Sequence, residues 1–178
     1  MKIFMYHYVR EDNPNTPYSK HKKINDFKYE CNFFKKNNCF FSLSDSLKKG
    51  NFKENSISLT FDDGLKDHLN VAEILKSLDI NATFYIPIYP YINNQILDVH
   101  KAHLICSKVG PESLDLLNIA CKKLEINNLL NYREKEKFEN KYFNQIDNDN
   151  IKTFKKIINY YGHLDLRRSE EHTSELQS

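Results

Sequence analysis

The feature that most constrains this sequence is a short apolar run that ends in two adjacent aspartates and a glycine, Ser58–Gly64 (SLTFDDG). The β-branched and apolar residues of Ile57–Phe61 predict a strand, and Gly64 allows the chain to turn sharply after it. Two neighbouring carboxylates repel each other unless a cation or a shared proton relieves the repulsion. The pattern therefore predicts a catalytic or metal-binding loop, or, since Asp and Gly favour turns, an ordinary turn.

The segments around this run predict alternating strands and helices. Strands are expected over Lys2–Val9, which is apolar enough for a buried parallel strand, and over Phe40–Leu43 and Ala82–Ile86. A helix is expected over Ile24–Asn38, with Phe27, Cys31 and Phe34 facing inward. Another is expected over about residues 69–78, with an apolar stripe of Val71, Ala72, Ile74, Leu75 and Leu78. Such alternation predicts an α/β fold with parallel pairing and right-handed crossovers.

Three segments together resemble the opening of the polysaccharide deacetylase (NodB-homology) domain. They are Ser58–Gly64 with its Thr-Phe-Asp-Asp-Gly core, Ala82–Pro87 (ATFYIP), and Met5–Val9 (MYHYV). The resemblance covers about Lys2 to Ile105. It implies the front part of an incomplete, distorted (β/α) barrel, here with a helical insertion over about residues 98–160, since amphipathic helical segments follow Pro111.

The resemblance also implies an activity, the metal-dependent removal of N-acetyl groups from a glycan or a glycan precursor. Carried over residue by residue, Asp62 is the general base and Asp63 a ligand of a divalent metal ion, expected to be zinc. A metal bound to one carboxylate would allow both to stay ionised. The family usually adds a His-x-x-x-His pair later in the chain, and this sequence has no such pair in that context.

Four other residues are candidates for the site. His100 and His103 lie three positions apart and so on one helical face, where they could bind a metal or form a partly buried structural pair. His7 lies near the carboxyl end of the first predicted strand, where it could contact substrate or pack in the core. Tyr89 lies in a proline-flanked aromatic loop that could contact sugar or pack as an ordinary loop.

Two other function classes compete with the deacetylase. A phosphatase with an aspartyl nucleophile also uses an acidic strand end, but it needs Asp-x-Asp, and the position two after Asp62 is Gly64. A non-catalytic carbohydrate-binding relative of the same fold is the stronger alternative, because one fold hosts many functions. Metal binding by the complete protein would separate this alternative from the enzyme.

The composition of the chain limits which binding partners and which cellular compartment are expected. The formal net charge of +2 on 178 residues predicts no nucleic-acid partner. No apolar run approaches the ~20 residues that span a bilayer, and Met1–Val9 lacks the features of a signal peptide, so a cytoplasmic protein is expected. The four cysteines have no Cys-x-x-Cys spacing, which predicts reduced thiols rather than a zinc site. The oligomeric state is open.

The last eleven residues, Arg168–Ser178, resemble the translation of a sequencing-library adapter. Such a segment is excluded from fold reasoning. We therefore expect residues 1–167 to form one partial deacetylase-like domain, residues 168–178 to be an artefact, and the natural protein to continue past Arg167.

Residues 1–167 alone are expected to have no metal-dependent deacetylase activity, because the metal would lack ligands from later in the chain. Acetate release from an N-acetylated glycan, with and without added zinc, measures this. Turnover that disappears in Asp62→Asn would contradict the expectation, and would indicate that His100 and His103 complete the site.

Overall fold

The computed structural model describes residues 1–37, 39–43, 47–48, 50, 56–123 and 138–161. Contacts between Cα atoms divide these residues into two compact units. The first comprises Met1–Asp12 and Lys20–Gln95, and the second comprises Asn13–Ser19 and the described residues from Ile96 onward. The predicted single domain with a helical insertion stays a prediction, and the tail of residues 168–178 lies outside the described residues.

The first unit is built around a central strand, β3 (Ser56–Phe61), whose six residues are all buried. β3 pairs in parallel with β1 (Lys2–Tyr6), β2 (Cys39–Phe40) and β4 (Ala82–Phe84). A strand that is buried on both faces requires a continuous run of apolar and small residues, and the sequence of β3 supplies it. The chain therefore has a small parallel sheet in a mixed α/β unit.

The register brings three strand ends to one level. Tyr6, the last residue of β1, lies opposite Phe61, the last residue of β3. Phe84, the last residue of β4, also lies opposite Phe61. Because the strands are parallel, the residues that follow each of them meet at the same edge of the sheet.

Three helices complete the first unit: α1 (Ile24–Asn37), α2 (Asp67–Ser77) and the short α3 (Ile88–Ile92). The predictions for α1 and α2 are confirmed to within two residues at their described ends, although Ala72 of α2 is exposed. The helices α1 and α2 and alternate residues of β3 form one apolar core, which includes Phe27, Cys31, Ile57, Leu59, Phe61, Val71, Ile74 and Leu75.

The second unit is helical. It contains α4 (Asp98–Val109), a 3₁₀ turn (Gly110–Glu112), α5 (Ser113–Lys123), α6 (Asp149–Lys156) and a π-helical turn (Ile157–Tyr161). Pro111 occupies the first turn of the 3₁₀ segment, where its missing N–H has no partner to lose. The unit has its own apolar core, which includes Ala102, Cys106, Leu117, Cys121, Phe154 and Ile158.

The structure corrects the expectation for β1, which was of a fully buried strand. Phe4 and Tyr6 pack against the core, whereas Ile3 is 53% and Met5 59% exposed. Successive side chains of a strand point to opposite faces, so a strand covered on one face only must expose every second residue. Apolar composition alone therefore overstated the burial of β1.

Three smaller differences concern the chain after each strand. The short strand expected over Phe40–Leu43 is Cys39–Phe40, and the strand expected to reach Ile86 ends at Phe84. The predicted aromatic loop contains the helix α3.

A (β/α) barrel is not confirmed, because the described residues form a sheet of four strands. None of the helices in the described ranges is both long and apolar enough to cross a lipid bilayer.

Phe27→Ala tests the core of the first unit. The Phe27 ring is fully buried and meets the Tyr6 and Phe61 rings edge-on, at centroid distances of 5.3 Å and 5.9 Å. Its removal should lower the free energy of unfolding by about 3–5 kcal/mol, measured by urea denaturation. The control is Tyr29→Ala on the same helix, where the side chain is 73% exposed and a change within about 0.5 kcal/mol is expected. Similar losses in the two variants would contradict this packing.

Candidate active site

The ends of β1 and β3 bring the acidic turn next to the residue that follows β1. The backbone N–H of Asp62 donates to the Tyr6 carbonyl at 3.1 Å, which continues the strand pairing by one residue. The backbone N–H of Tyr85 donates to the Phe61 carbonyl at 2.8 Å on the side of β4. His7 and Asp62 thus leave the sheet side by side, directly after paired residues.

The turn after Asp62 requires an unusual backbone. Asp63 has φ +78° and Gly64 has φ +59°, both in the left-handed region. Aspartate tolerates this region better than most residues, and glycine adopts it freely. A Cβ on Gly64 would lie 3.0 Å from the Ile86 side chain and 3.0 Å from the Tyr91 hydroxyl, which itself donates to the Gly64 carbonyl at 2.7 Å. The turn therefore has a steric as well as a conformational need for glycine.

Asp62 is half-buried and carries an unused acceptor. Its Oδ1 atom is shielded from solvent and has no hydrogen-bond partner among the described residues. A buried carboxylate oxygen without a partner loses its hydration and gains nothing in return. Such an oxygen is suited to a proton, a water, a cation or a substrate group that enters the site.

Asp63 is paired with a histidine. The Nδ1 atom of His7 lies 2.9 Å from Oδ2 of Asp63, with 43% of the His7 side chain and 27% of the Asp63 side chain exposed. The contact places His7 at the surface against the acidic turn, rather than in the core. An imidazole N–H that donates to a carboxylate fixes the orientation of both groups.

An ion pair that lies next to these residues was not predicted from the sequence. The Nε atom of Arg10 donates to Oδ2 of Asp67 at 2.6 Å, and the Arg10 guanidinium lies 4.4 Å from the centre of the Tyr8 ring. Burial raises the pKa of Tyr8 to about 12, against the lowering effect of Arg10, so its hydroxyl stays protonated at neutral pH. The pair joins the chain after β1 to the start of α2, across 57 positions.

A buried histidine was missed as well. His68, the second residue of α2, is 6% exposed, and its Nε2 atom donates to the backbone carbonyl of His7 at 2.8 Å. One signal for it exists in the sequence, since His68 precedes Val71 and Leu75 by three and seven positions and so shares their apolar stripe. A histidine on such a stripe is buried, but its partner cannot be read from the pattern.

The remaining candidates lie in different places. Tyr89 is 64% exposed on α3, two positions before Tyr91, which contacts the acidic turn. His100 and His103 belong to the second unit, on α4, with ring centres 6.3 Å apart and an angle of 72° between the rings. In the described part of the chain, no three His, Cys, Asp or Glu side chains form a group that could hold a metal ion.

The carboxylates of Asp62 and Asp63, which follow the end of β3, are compatible with a divalent cation. Carboxylate oxygens bind zinc and harder cations alike. Asp63 is accessible and has an imidazole on one oxygen, which is a common arrangement around a metal-ligating carboxylate. Oδ1 of Asp62, which has no hydrogen-bond partner within the described ranges, lies on the adjacent residue. The chemistry of the three residues therefore fits Asp63 as one metal ligand, His7 as the partner that orients it, and Asp62 as a nearby base.

Comparison with known proteins finds two similar solved structures, both of deacetylases. The chain is 22% identical to the de-N-acetylase from Aggregatibacter actinomycetemcomitans over 46% of this chain and 35% of that chain, with a TM-score of 0.37. It is 18% identical to the Streptococcus pyogenes deacetylase PplD in complex with acetate, over 89% of this chain and 80% of that chain, with a TM-score of 0.45.

Both proteins are of the class that the motif Ser58–Gly64 predicts. The chain spans about a third of the length of the first of them. Neither a family profile nor a curated protein matches the chain. At TM-scores below 0.5 the similarities carry no argument of their own, so the inference of function rests on the residues of the site.

Gly64→Ala tests the acidic turn, and Gly50→Ala is its matched control. Both glycines have φ near +58°, but a Cβ at Gly50 would meet nothing within 4 Å. The two variants share the conformational cost of about 1–2 kcal/mol, and Gly64→Ala should lose about 1–3 kcal/mol more through overpacking against Ile86 and Tyr91. Urea denaturation measures both, and equal losses would contradict the close contact at Gly64.

Proposed function

We propose that this chain is part of a metal-dependent hydrolase that removes N-acetyl groups from a glycan or a glycan precursor, and that the chain alone is inactive. The observation that supports this most is the pair of carboxylates at the end of the buried strand β3. Asp62 has a shielded oxygen that finds no hydrogen-bond partner in the described part of the chain, and Oδ2 of Asp63 lies 2.9 Å from Nδ1 of His7. Two neighbouring carboxylates in different surroundings can take different roles, one as a base and one as a ligand.

In this proposal Asp63 holds the divalent ion, for which zinc is the expected element, and His7 orients the carboxylate. A cation held there would polarise the acetamide carbonyl and stabilise the negative charge that develops on its oxygen. The sequence-based prediction that His100 and His103 are further ligands stays a prediction. An outer partner such as His7 contributes about 10–100-fold to metal affinity in known sites.

Asp62 is proposed as the general base. It takes a proton from the attacking water, whose oxygen forms a bond to the acetamide carbon. The C–N bond then breaks, acetate leaves, and the proton passes to the departing amine, so that one water is consumed for each acetyl group removed. An oxygen to which no group of the described residues donates a hydrogen bond keeps its lone pairs for this proton.

Aromatic side chains beside the turn support a carbohydrate as the substrate. Tyr85, Tyr89 and Tyr91 are 50%, 64% and 62% exposed, and Tyr91 contacts the Gly64 carbonyl. Exposed tyrosines offer an apolar face with a polar tip, which suits the mixed surface of a sugar ring. The same exposure favours a second candidate, a carbohydrate-binding relative without catalysis, in which Tyr89 would bind sugar but no acetate would be released.

Asp62→Asn and Asp63→Asn separate the two proposed roles. In the protein expressed from the whole gene, Asp62→Asn should lower the rate of acetate release by about 10²–10⁴-fold and leave zinc affinity nearly unchanged. Asp63→Asn should lower zinc affinity, measured by titration calorimetry, and activity together. The control is Asp115→Asn, an exposed residue of α5, which should change neither.

Full activity in Asp62→Asn would exclude Asp62 as the base. A wild-type protein that binds an N-acetylated glycan but releases no acetate in the presence of zinc would favour the binding relative over the enzyme.

A further inference from the structure

We propose that His68 is a positioning residue, which holds the backbone that presents the His7 imidazole to Asp63. The inference rests on the proposed function, because it concerns how the same site is kept in order. It goes beyond that function in assigning a role to a residue that is buried and lies outside the acidic turn.

The surroundings of His68 fix its ring. Its centre lies 5.5 Å from that of Phe61, at an angle of 67°, and 5.8 Å from that of Phe84, at an angle of 55°. Phe61 and Phe84 are the last residues of β3 and β4. The ring is thus set against the ends of two paired strands and cannot move without disturbing the core.

The hydrogen bond of His68 defines which ring nitrogen carries the proton. Nε2 lies 2.8 Å from the His7 carbonyl oxygen, and a carbonyl only accepts, so Nε2 is the donor. The other ring nitrogen, Nδ1, is buried and has no hydrogen-bond partner in the described ranges. The ring therefore acts as a single, fixed donor aimed at the backbone of His7.

The His7 carbonyl differs from the two carbonyls that flank it. The carbonyl before it accepts from the backbone N–H of Asp62 at 3.1 Å, and the one after it accepts from that of Lys22 at 2.9 Å. The His7 carbonyl accepts from a side chain instead. Strand pairing ends at this point, so His68 supplies the bond that orients the peptide on which the His7 side chain stands.

The competing explanation is that His68 only fills space between phenylalanine rings. An apolar residue would do that better, because a buried nitrogen without a partner is unfavourable. The two explanations differ in what they predict for His7. Loss of packing alone would lower stability and leave the His7 ring in place, whereas loss of the donor would release it.

Nitrogen-15 NMR of the histidine rings in the 178-residue chain tests the inference directly. We expect His68 to be protonated at Nε2, and the ring signals of His7 to shift in His68→Leu. His68→Gln should return them towards the wild-type positions, because its amide N–H can reach the same carbonyl. The control is Leu69→Ala, next to His68 on α2 and 71% exposed, which should leave the His7 signals unchanged.

Zinc affinity of the protein from the whole gene gives a second readout. His68→Leu should weaken it about tenfold, because it would release His7, the outer partner of the proposed ligand Asp63, and His68→Gln should restore most of it. In a His7→Ala background, His68→Leu should have no further effect on zinc affinity while still lowering the melting temperature. Such non-additivity is expected only when one residue acts through the other.

Several results would overturn the inference. They are a proton on Nδ1 of His68, unchanged His7 signals in a folded His68→Leu, or an equal loss of zinc affinity with and without His7. If His68→Leu does not fold, the wild-type tautomer and the His68→Gln variant still decide the matter. If the wild-type protein releases no acetate, the proposed function fails, and the NMR comparison still decides whether His68 holds His7.

Discussion

The parallel register of β1 against β3 is the constraint on which the candidate site depends. Tyr6 and Phe61 lie opposite each other, so the residues after them leave the sheet together, and His7 can reach Asp63 across 56 positions of the chain. A shift by one residue would turn every side chain of β1 to the other face. The core opposes such a shift, because Phe4 and Tyr6 are packed into it while Ile3 and Met5 face outward.

The elements that could be predicted from the sequence are those whose signal is local. The apolar run of β3 consists of consecutive residues, and the apolar stripes of α1 and α2 recur every three or four residues. The structure has all three elements at nearly the expected bounds. The exposed face of β1 could not be predicted, because it depends on which elements cover a strand rather than on the strand's own residues. The helix α3 could not be predicted because of its two prolines: Pro87 directly precedes the first helical residue, and Pro90 lies within the helix, where proline is unfavourable.

In the candidate site, too, some residues could be predicted from a local signal and others could not. Asp62 and Asp63 are neighbours in sequence, so one motif indicates both, and a metal-dependent deacetylase remains a proposal built on them. The contacts around these residues join distant parts of the chain. Arg10 meets Asp67 across 57 positions, and His68 meets the His7 backbone across 61. No periodicity specifies such contacts, because they arise only once the sheet has placed the end of β1 beside the start of α2.

The positive φ of Asp63 limits which residues evolution can put there. At φ +78° a side chain with a branched Cβ is strained, whereas Asn, Asp and Gly are accommodated. The backbone conformation of the turn thus restricts which substitutions are tolerated, independently of the chemical role of the side chain. If Asp63 is the ligand proposed above, a descendant that has lost the metal site should change at position 63 mainly to Asn or Gly, so the loss of the ligand would look, in its sequence, like a conservative change.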